Sequence, residues 1–213
     1  MSKLMDYMIS PYPIRIIDPK VEASKLKLQS IRVGQVGHLP GRTLFRMGVT
    51  FPHWAFVYVA AGAGTYAENG GRRQPVRDGS LFFFRPGCIY DFGPSPDGNW
   101  DEYYINFTGS RIKEWREAGL LVEGTVFRVE ETHHLGARFE EVMEWMEGGN
   151  PRDADRAALA LEGMLLDCCG LGENGRPDAE DSMQLIREDL HSCIYGEFDA
   201  SQDGAPQQRL SPS

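Results

Sequence analysis

FPHWAFVYVAAGAGTYAENGGRRQPVRDGSLFFFRPGCIYDFGPSPDGNWDEYYINF, residues 51–107, is the stretch whose reading decides the fold. Residues 55–61 are apolar until Gly62-Ala63-Gly64 interrupts them. Residues 65–67 can pair with residues 73–77 across Asn69-Gly70-Gly71, where residues tolerant of positive φ permit a tight reversal. Asp78-Gly79 makes a second reversal, residues 80–84 another strand and Pro86-Gly87 a third turn. Residues 89–92 follow, then a loop rich in Gly, Pro, Ser and Asp, then a strand over residues 100–107. Short strands at this spacing predict a barrel or jelly roll, because closure removes exposed sheet edges.

Strand alternation sorts the side chains. Over residues 100–107, Trp100, Glu102, Tyr104 and Asn106 share one face; Asp101, Tyr103, Ile105 and Phe107 share the other. The first set mixes aromatic surface with hydrogen-bonding groups, as a pocket for a polar small molecule requires. The second is more apolar and suits packing. In the run Phe82-Phe83-Phe84, the outer two fill one side and Phe83 the other. Trp54 and these phenylalanines read either as ligand platforms or as core filling.

Upstream, residues 26–36 and 43–50 read as strands broken by Gly34, Gly37 and Gly41, with Pro40-Gly41 a turn signal. Arg42 and Arg46 lie near or on the second strand. Each is either part of a solvated face or a fork that donates two hydrogen bonds to a ligand's hydroxyls or carboxylate. Residues 1–20, carrying Pro11, Pro13 and Pro19, read as an irregular arm.

Downstream the period changes. Residues 111–118 form a short helix stopped by Gly119, and residues 121–129 an extended piece. A helix over residues 135–146 carries Leu135, Phe139, Val142, Met143 and Met146 on one stripe, with Thr132 a candidate cap and Gly148-Gly149 a stop. Asn150-Pro151 opens the next helix, which runs to Cys169. Its stripe of Ala154, Ala158, Leu161, Leu165 and Cys168 reads in two ways: packing on the chain's own barrel, or a coiled-coil-like dimer seam. Residues 170–178 are linker-like, residues 181–195 resume a helical pattern, and the chain ends in SQDGAPQQRLSPS.

The 213 residues suffice for one domain with a sizeable core, or a domain plus a helical appendage. A net charge of −9 speaks against this segment itself embracing a nucleic-acid backbone, which needs clustered Lys and Arg. No apolar run approaches the roughly 20 residues that span a bilayer, so no membrane partner is expected. The start, MSKLMDYMIS, has no secretory pattern. Cys88, Cys168, Cys169 and Cys193 form neither Cys-x-x-Cys nor a disulfide framework, so a reduced, cytoplasmic protein is expected. There is no Gly-x-Ser-x-Gly elbow, and Gly62-Ala63-Gly64 lacks the third glycine of a dinucleotide fingerprint.

Trp54, Tyr58, Val59, Gly62, Gly64 and Tyr66, then Val76, Gly79, Leu81, Phe82, Phe83, Phe84, Pro86 and Gly87, then Trp100, Tyr104, Phe107 and Gly109, together resemble the sugar-sensing cupin domain of AraC-type transcriptional regulators. The match covers residues 44–119 well and the following helices more loosely. The resemblance implies a mainly β fold with C-terminal α: a cupin-like jelly-roll β-barrel followed by an antiparallel helical pair, a candidate for dimerisation. The implied division is an arm (1–20), an effector-binding barrel (21–130), dimerisation helices (131–170) and, over 171–213, a linker and the start of a DNA-binding region. It implies a small-molecule effector, such as a sugar or sugar acid, and a homodimer. DNA would be bound only through a C-terminal helix-turn-helix region not in this chain.

The resemblance also assigns residues. The family's ligand-binding arginine matches Arg46 with the count one off, leaving Arg42 open. Its His and Trp on the last barrel strand fall at Glu102 and Tyr104, and a preceding Tyr falls at Phe92, with Tyr90 nearby. Because those residue types differ, arabinose itself is not implied. The arm closes over the ligand in such relatives, which makes Tyr7 and Tyr12 candidate lid contacts. Metal cupins instead use His-x-His, Glu and a later His. None of His38, His53, His133, His134 and His191 forms His-x-His, and Tyr90-Asp91 stands after Pro86-Gly87, so neither a metal nor another cofactor, and no catalysis, is expected. A metal-dependent cupin enzyme (isomerase or dioxygenase) and a freestanding dimerisation module are the alternatives.

Overall fold

The computed structural model describes residues 9–129 and 133–169. Among them run ten strands: β1 (Arg15–Ile17), β2 (Arg32–Arg42), β3 (Arg46–Val49), β4 (Trp54–Gly62), β5 (Gly64–Glu68), β6 (Gln74–Val76), β7 (Ser80–Phe84), β8 (Tyr90–Pro94), β9 (Trp100–Thr108) and β10 (Phe127–Arg128). Three helices join them: α1 (Arg111–Glu117), α2 (Leu135–Gly148) and α3 (Pro151–Cys169). The strands form two antiparallel sheets rather than one closed ring, in the orders β1-β2-β9-β4-β7-β10 and β3-β8-β5-β6. This is the jelly-roll arrangement, with helices following it in the chain.

Local chemistry explains the joints. Asn69 and Gly70 both adopt positive φ, 52° and 69°, and Gly71 N–H donates to the Glu68 carbonyl, closing the β5–β6 hairpin. Asn150 accepts from the Arg152 backbone N–H (3.0 Å), capping α3 behind Pro151. Arg138, early in α2, meets Asp167, late in α3, at 2.6 Å, so the two helices run antiparallel.

Alternation builds two cores. Val57, Val59, Phe82, Phe84, Tyr66, Tyr90, Phe92 and Trp100 pack between the sheets. Trp54, Phe56, Phe83, Tyr103, Ile105 and Phe107, from the opposite face of the same six-stranded sheet, pack on Leu135, Phe139, Val142, Leu161 and Leu165 of the helices. Phe82 and Phe84 thus part from Phe83 as their spacing requires.

Three expectations need correction. The arm is not wholly irregular: Arg15, Ile16 and Ile17 pair with His38, Gly37 and Val36, adding a strand to the larger sheet. Gly37 and Pro40-Gly41 do not break β2, which continues to Arg42 with a register shift between Leu39 and Arg42. Gly37 is instead a close approach, since a Cβ there would overlap the Tyr104 ring. The extended piece before α2 narrows to two strand residues, β10. The linker and DNA-binding start expected over 171–213 lie outside the described residues, as does the proposed cap Thr132.

Candidate functional site

Aromatic side chains fill only part of the space between the sheets. The rest is a cavity of about 570 Å³. Its roof is the N-terminal segment: Ile14, Ile16 and Asp18 face it by alternation along β1, joined by Ile9. Arg15 and Ile17, the intervening residues, turn to the helix layer, where Arg15 reaches Glu140 at 2.5 Å and Glu147 at 3.5 Å. The segment is also tied down by Thr43 N–H donating to the Ile9 carbonyl (2.8 Å) and by the Ser10 hydroxyl donating to the Pro40 carbonyl. Leu39, Leu44, Phe51, Ala55, Val57, Phe84 and Phe92 make apolar walls. Gln35, Arg42, Arg46, Glu102, Tyr104 and Asn106 supply the polar atoms.

Arg42 and Glu102 are the polar centre. Both are 4% exposed, and Arg42 Nη1 donates to Glu102 Oε2 at 2.5 Å. The Trp100 indole donates to the same oxygen (2.9 Å), and Arg42 Nε donates to the Leu44 carbonyl (3.0 Å). The guanidinium carbon sits 4.6 Å from the centre of the Phe92 ring, a cation–π contact. Arg42 Nη2, shielded from water, has no hydrogen-bond partner among the described residues. A buried charge is held only when its hydrogen bonds are made. Here one donor is left over.

A second polar chain links the barrel to its roof. The Tyr104 hydroxyl donates to Gln35 Oε1 (2.7 Å), and Gln35 Nε2 donates to Asp18 Oδ1 (2.7 Å). Burial pushes the Tyr104 phenol well above its ordinary pKa, and the charges of Glu102 and Asp18 add to the rise. It stays protonated at neutral pH and keeps its role as donor.

The structure therefore brings Arg42, Arg46, Phe92, Glu102 and Tyr104 to one cavity. Three other residues named from the sequence stand elsewhere. Trp54 points to the helix side of the sheet, stacked near Phe107, because the parity of β4 turns Ala55 and Val57 inward. Tyr90 is wholly buried behind Phe84, with its hydroxyl accepting from the Arg85 N–H. Tyr12 is 60% exposed and lies against Gly41. Tyr7 lies outside the described residues. Sequence reasoning missed Ile14, Ile16, Asp18 and Gln35; the alternation of Ile14, Ile16 with Arg15, Ile17 was the available signal.

The stripe named for a dimer seam is also relocated. Ala158, Leu161 and Leu165 are at most 1% exposed within a single chain, Cys168 is buried, and Ala154 packs against the same core. A residue already buried in its own core offers no surface to a partner. Burial likewise pushes the Cys168 thiol up to about 11 and the Cys169 thiol up to about 12. Among the described residues no three His, Cys, Asp or Glu side chains converge as metal ligands would, and no helix is long and apolar enough to cross a membrane.

The AraC-like ligand binding domain family matches residues 43–166, more than half of the chain. No curated protein matches it in sequence. Similar solved structures include an RmlC-like cupin family protein with a double-stranded β-helix fold from Methanocaldococcus jannaschii, at 6% identity, TM-score 0.31, covering 42% of this chain and 80% of that one. The protein YhaK from Escherichia coli is similar at 14% identity and TM-score 0.36, over 46% of this chain and 45% of that one. A cupin 2 conserved barrel domain protein from Salinispora arenicola is similar at 12% identity and TM-score 0.31, over 43% and 75%.

Proposed function

The chain belongs to the AraC-like ligand binding domain family, and on that premise we propose that it is the effector-sensing and dimerisation module of an AraC-type transcriptional regulator. The observation that carries this reading is the roofed cavity with the buried Arg42–Glu102 pair at its centre and one guanidinium donor unmatched. A small effector with a polar group binds there, against Arg42, Arg46, Phe92, Glu102 and Tyr104. The roof strand β1 is fastened on its outer side to Glu140 and Glu147 of α2, so a ligand touching Ile14, Ile16 or Asp18 touches an element that also holds the helices. Effector binding can shift such an arrangement only by favouring one state over another. In the regulator, the state selected governs DNA binding by a helix-turn-helix region.

Dimerisation by a second copy uses the face of α3 turned away from the core. Leu159 and Leu166 lie seven residues apart there and are each 54% exposed. Replacing both by glutamate is expected to convert a dimer to a monomer in light scattering while leaving the circular dichroism spectrum intact. A dimer that survives both changes places the seam elsewhere.

A thermal-shift screen tests the sensing function. A compound at 100 times its Kd adds about 2.7 kcal/mol, which raises the midpoint of a domain this size by roughly 5–11 °C. A broad panel of sugars, sugar acids and other small acids that leaves the midpoint unmoved contradicts the sensor reading.

A further inference from the structure

Taking the sensor reading as its basis, we infer that the cavity selects an amphipathic monocarboxylate, an acid with an aliphatic or aromatic body, in preference to a sugar or sugar acid. The first ground is the supply of hydrogen bonds. Each sugar hydroxyl presents a donor and acceptor lone pairs, so a bound sugar needs many partners. The cavity's polar side chains are mostly committed to one another: Arg42 and Trp100 to Glu102, and Tyr104 through Gln35 to Asp18. What is left over is the Asn106 amide and two guanidinium groups. Arg42 Nη2 has no partner in a side chain only 4% exposed and meets a ligand only once the side chain shifts, whereas the exposed side chain of Arg46, on the strand paired with that of Phe92, forms no ion pair or hydrogen bond among the described residues. Unmatched guanidinium donors fit a carboxylate better than any neutral group.

The second ground is the wall. Ile9, Ile14 and Ile16 form the roof, and Leu39 and Val57 stand among the remaining walls, so the roof and part of the walls are aliphatic. Aromatic platforms for a sugar ring are scarce. Phe51 stacks on Phe84 with centroids 4.3 Å apart, and the Phe92 ring takes the Arg42 guanidinium on one face and lies 4.6 Å from Phe84. A polyhydroxylated body would desolvate against these aliphatic walls without compensation. An apolar body gains from the same contact.

Matched pairs of probes separate head from body. Calorimetric titration of the full chain with hexanoate and phenylacetate, with their uncharged counterparts hexanol and phenethyl alcohol, and with arabinose and glucuronate, gives the ranking. Both apolar acids are expected to bind, each at least about tenfold more tightly than its alcohol, the strength of a charge-assisted hydrogen bond. Arg46→Gln, at an exposed position, is expected to weaken the acids by a similar factor and leave the alcohols unchanged. Arg42→Lys retains a cation for Glu102 but removes the planar guanidinium fork that can hold two acceptors at once, and is expected to do the same. Binding of arabinose or glucuronate with both apolar acids silent overturns the inference and leaves the sensor reading standing. Equal binding of acids and alcohols, or acid affinity untouched in Arg46→Gln, overturns the carboxylate assignment. Silence of every probe overturns the inference, and extension of that silence to the broad thermal panel overturns the sensor reading too.

Discussion

Glu102→Leu is expected to destabilise the chain by about 3–5 kcal/mol, the cost of leaving one partner of a buried pair without the other. For a domain of this size the thermal midpoint falls by roughly 6–20 °C. The magnitude follows from what the carboxylate holds: it accepts from both Arg42 and the Trp100 indole, and the guanidinium left behind is 4% exposed. The double variant Arg42→Met, Glu102→Leu is expected to recover most of the loss, because matched apolar groups of similar volume remove the charge together with its desolvation cost. Thermal denaturation followed by circular dichroism checks both. A single variant within 1 kcal/mol of the parent chain means that water reaches Arg42, and the Arg42–Glu102 pair then is not the buried centre described above.

The second large effect lies on the opposite face of the same sheet. Phe139→Ala is expected to cost about 3–5 kcal/mol. Phe139 is fully buried in α2 and stacks on Phe56 at 5.6 Å, on Tyr58 at 6.2 Å and near Tyr103 at 5.4 Å. It is the side chain through which α2 grips strands β4 and β9. No residue of its layer lines the cavity, so calorimetric titration is expected to show an unchanged Kd for whichever effector the screen yields, at a temperature where the variant is folded. A loss below 1 kcal/mol in urea denaturation contradicts the helix-on-sheet packing.

How far the sequence led is clearest on β9. Its period of two separates Glu102 and Tyr104 from Tyr103, Ile105 and Phe107, and that division needs nothing beyond the pleat. Parity does not say how far along the barrel a side chain sits. Tyr90 and Phe92 share a face, yet Phe92 borders the cavity and Tyr90 lies behind Phe84, against the backbone of Arg85. The same parity, applied to β4, would have turned Trp54 away from the cavity.

The arm was harder to read because its order is tertiary. Three residues, Arg15–Ile17, make a strand only because β2 presents a free edge and α2 supplies carboxylates to Arg15. Local propensity in a segment with three prolines could not show this. Gln35 was invisible for a similar reason, since its role is to bridge Tyr104, on β9, and Asp18, on the arm. The α3 stripe was periodic as expected, but periodicity marks a face that is buried, not the surface that buries it. That surface is the chain's own core, while Leu159 and Leu166 stand on the far side.

The most direct test of effector binding in this cavity is methyl NMR of isoleucine-labelled protein titrated with the most stabilising compound from the thermal screen. Ile9, Ile14 and Ile16 line the cavity, whereas Ile31 and Ile105 belong to the core between sheet and helices. Saturable shifts of the Ile9, Ile14 and Ile16 methyls, with Ile31 and Ile105 steady, are the predicted result. Shifts confined to Ile31 and Ile105, or no shift from a compound that raises the thermal midpoint, would place the ligand elsewhere and contradict the account.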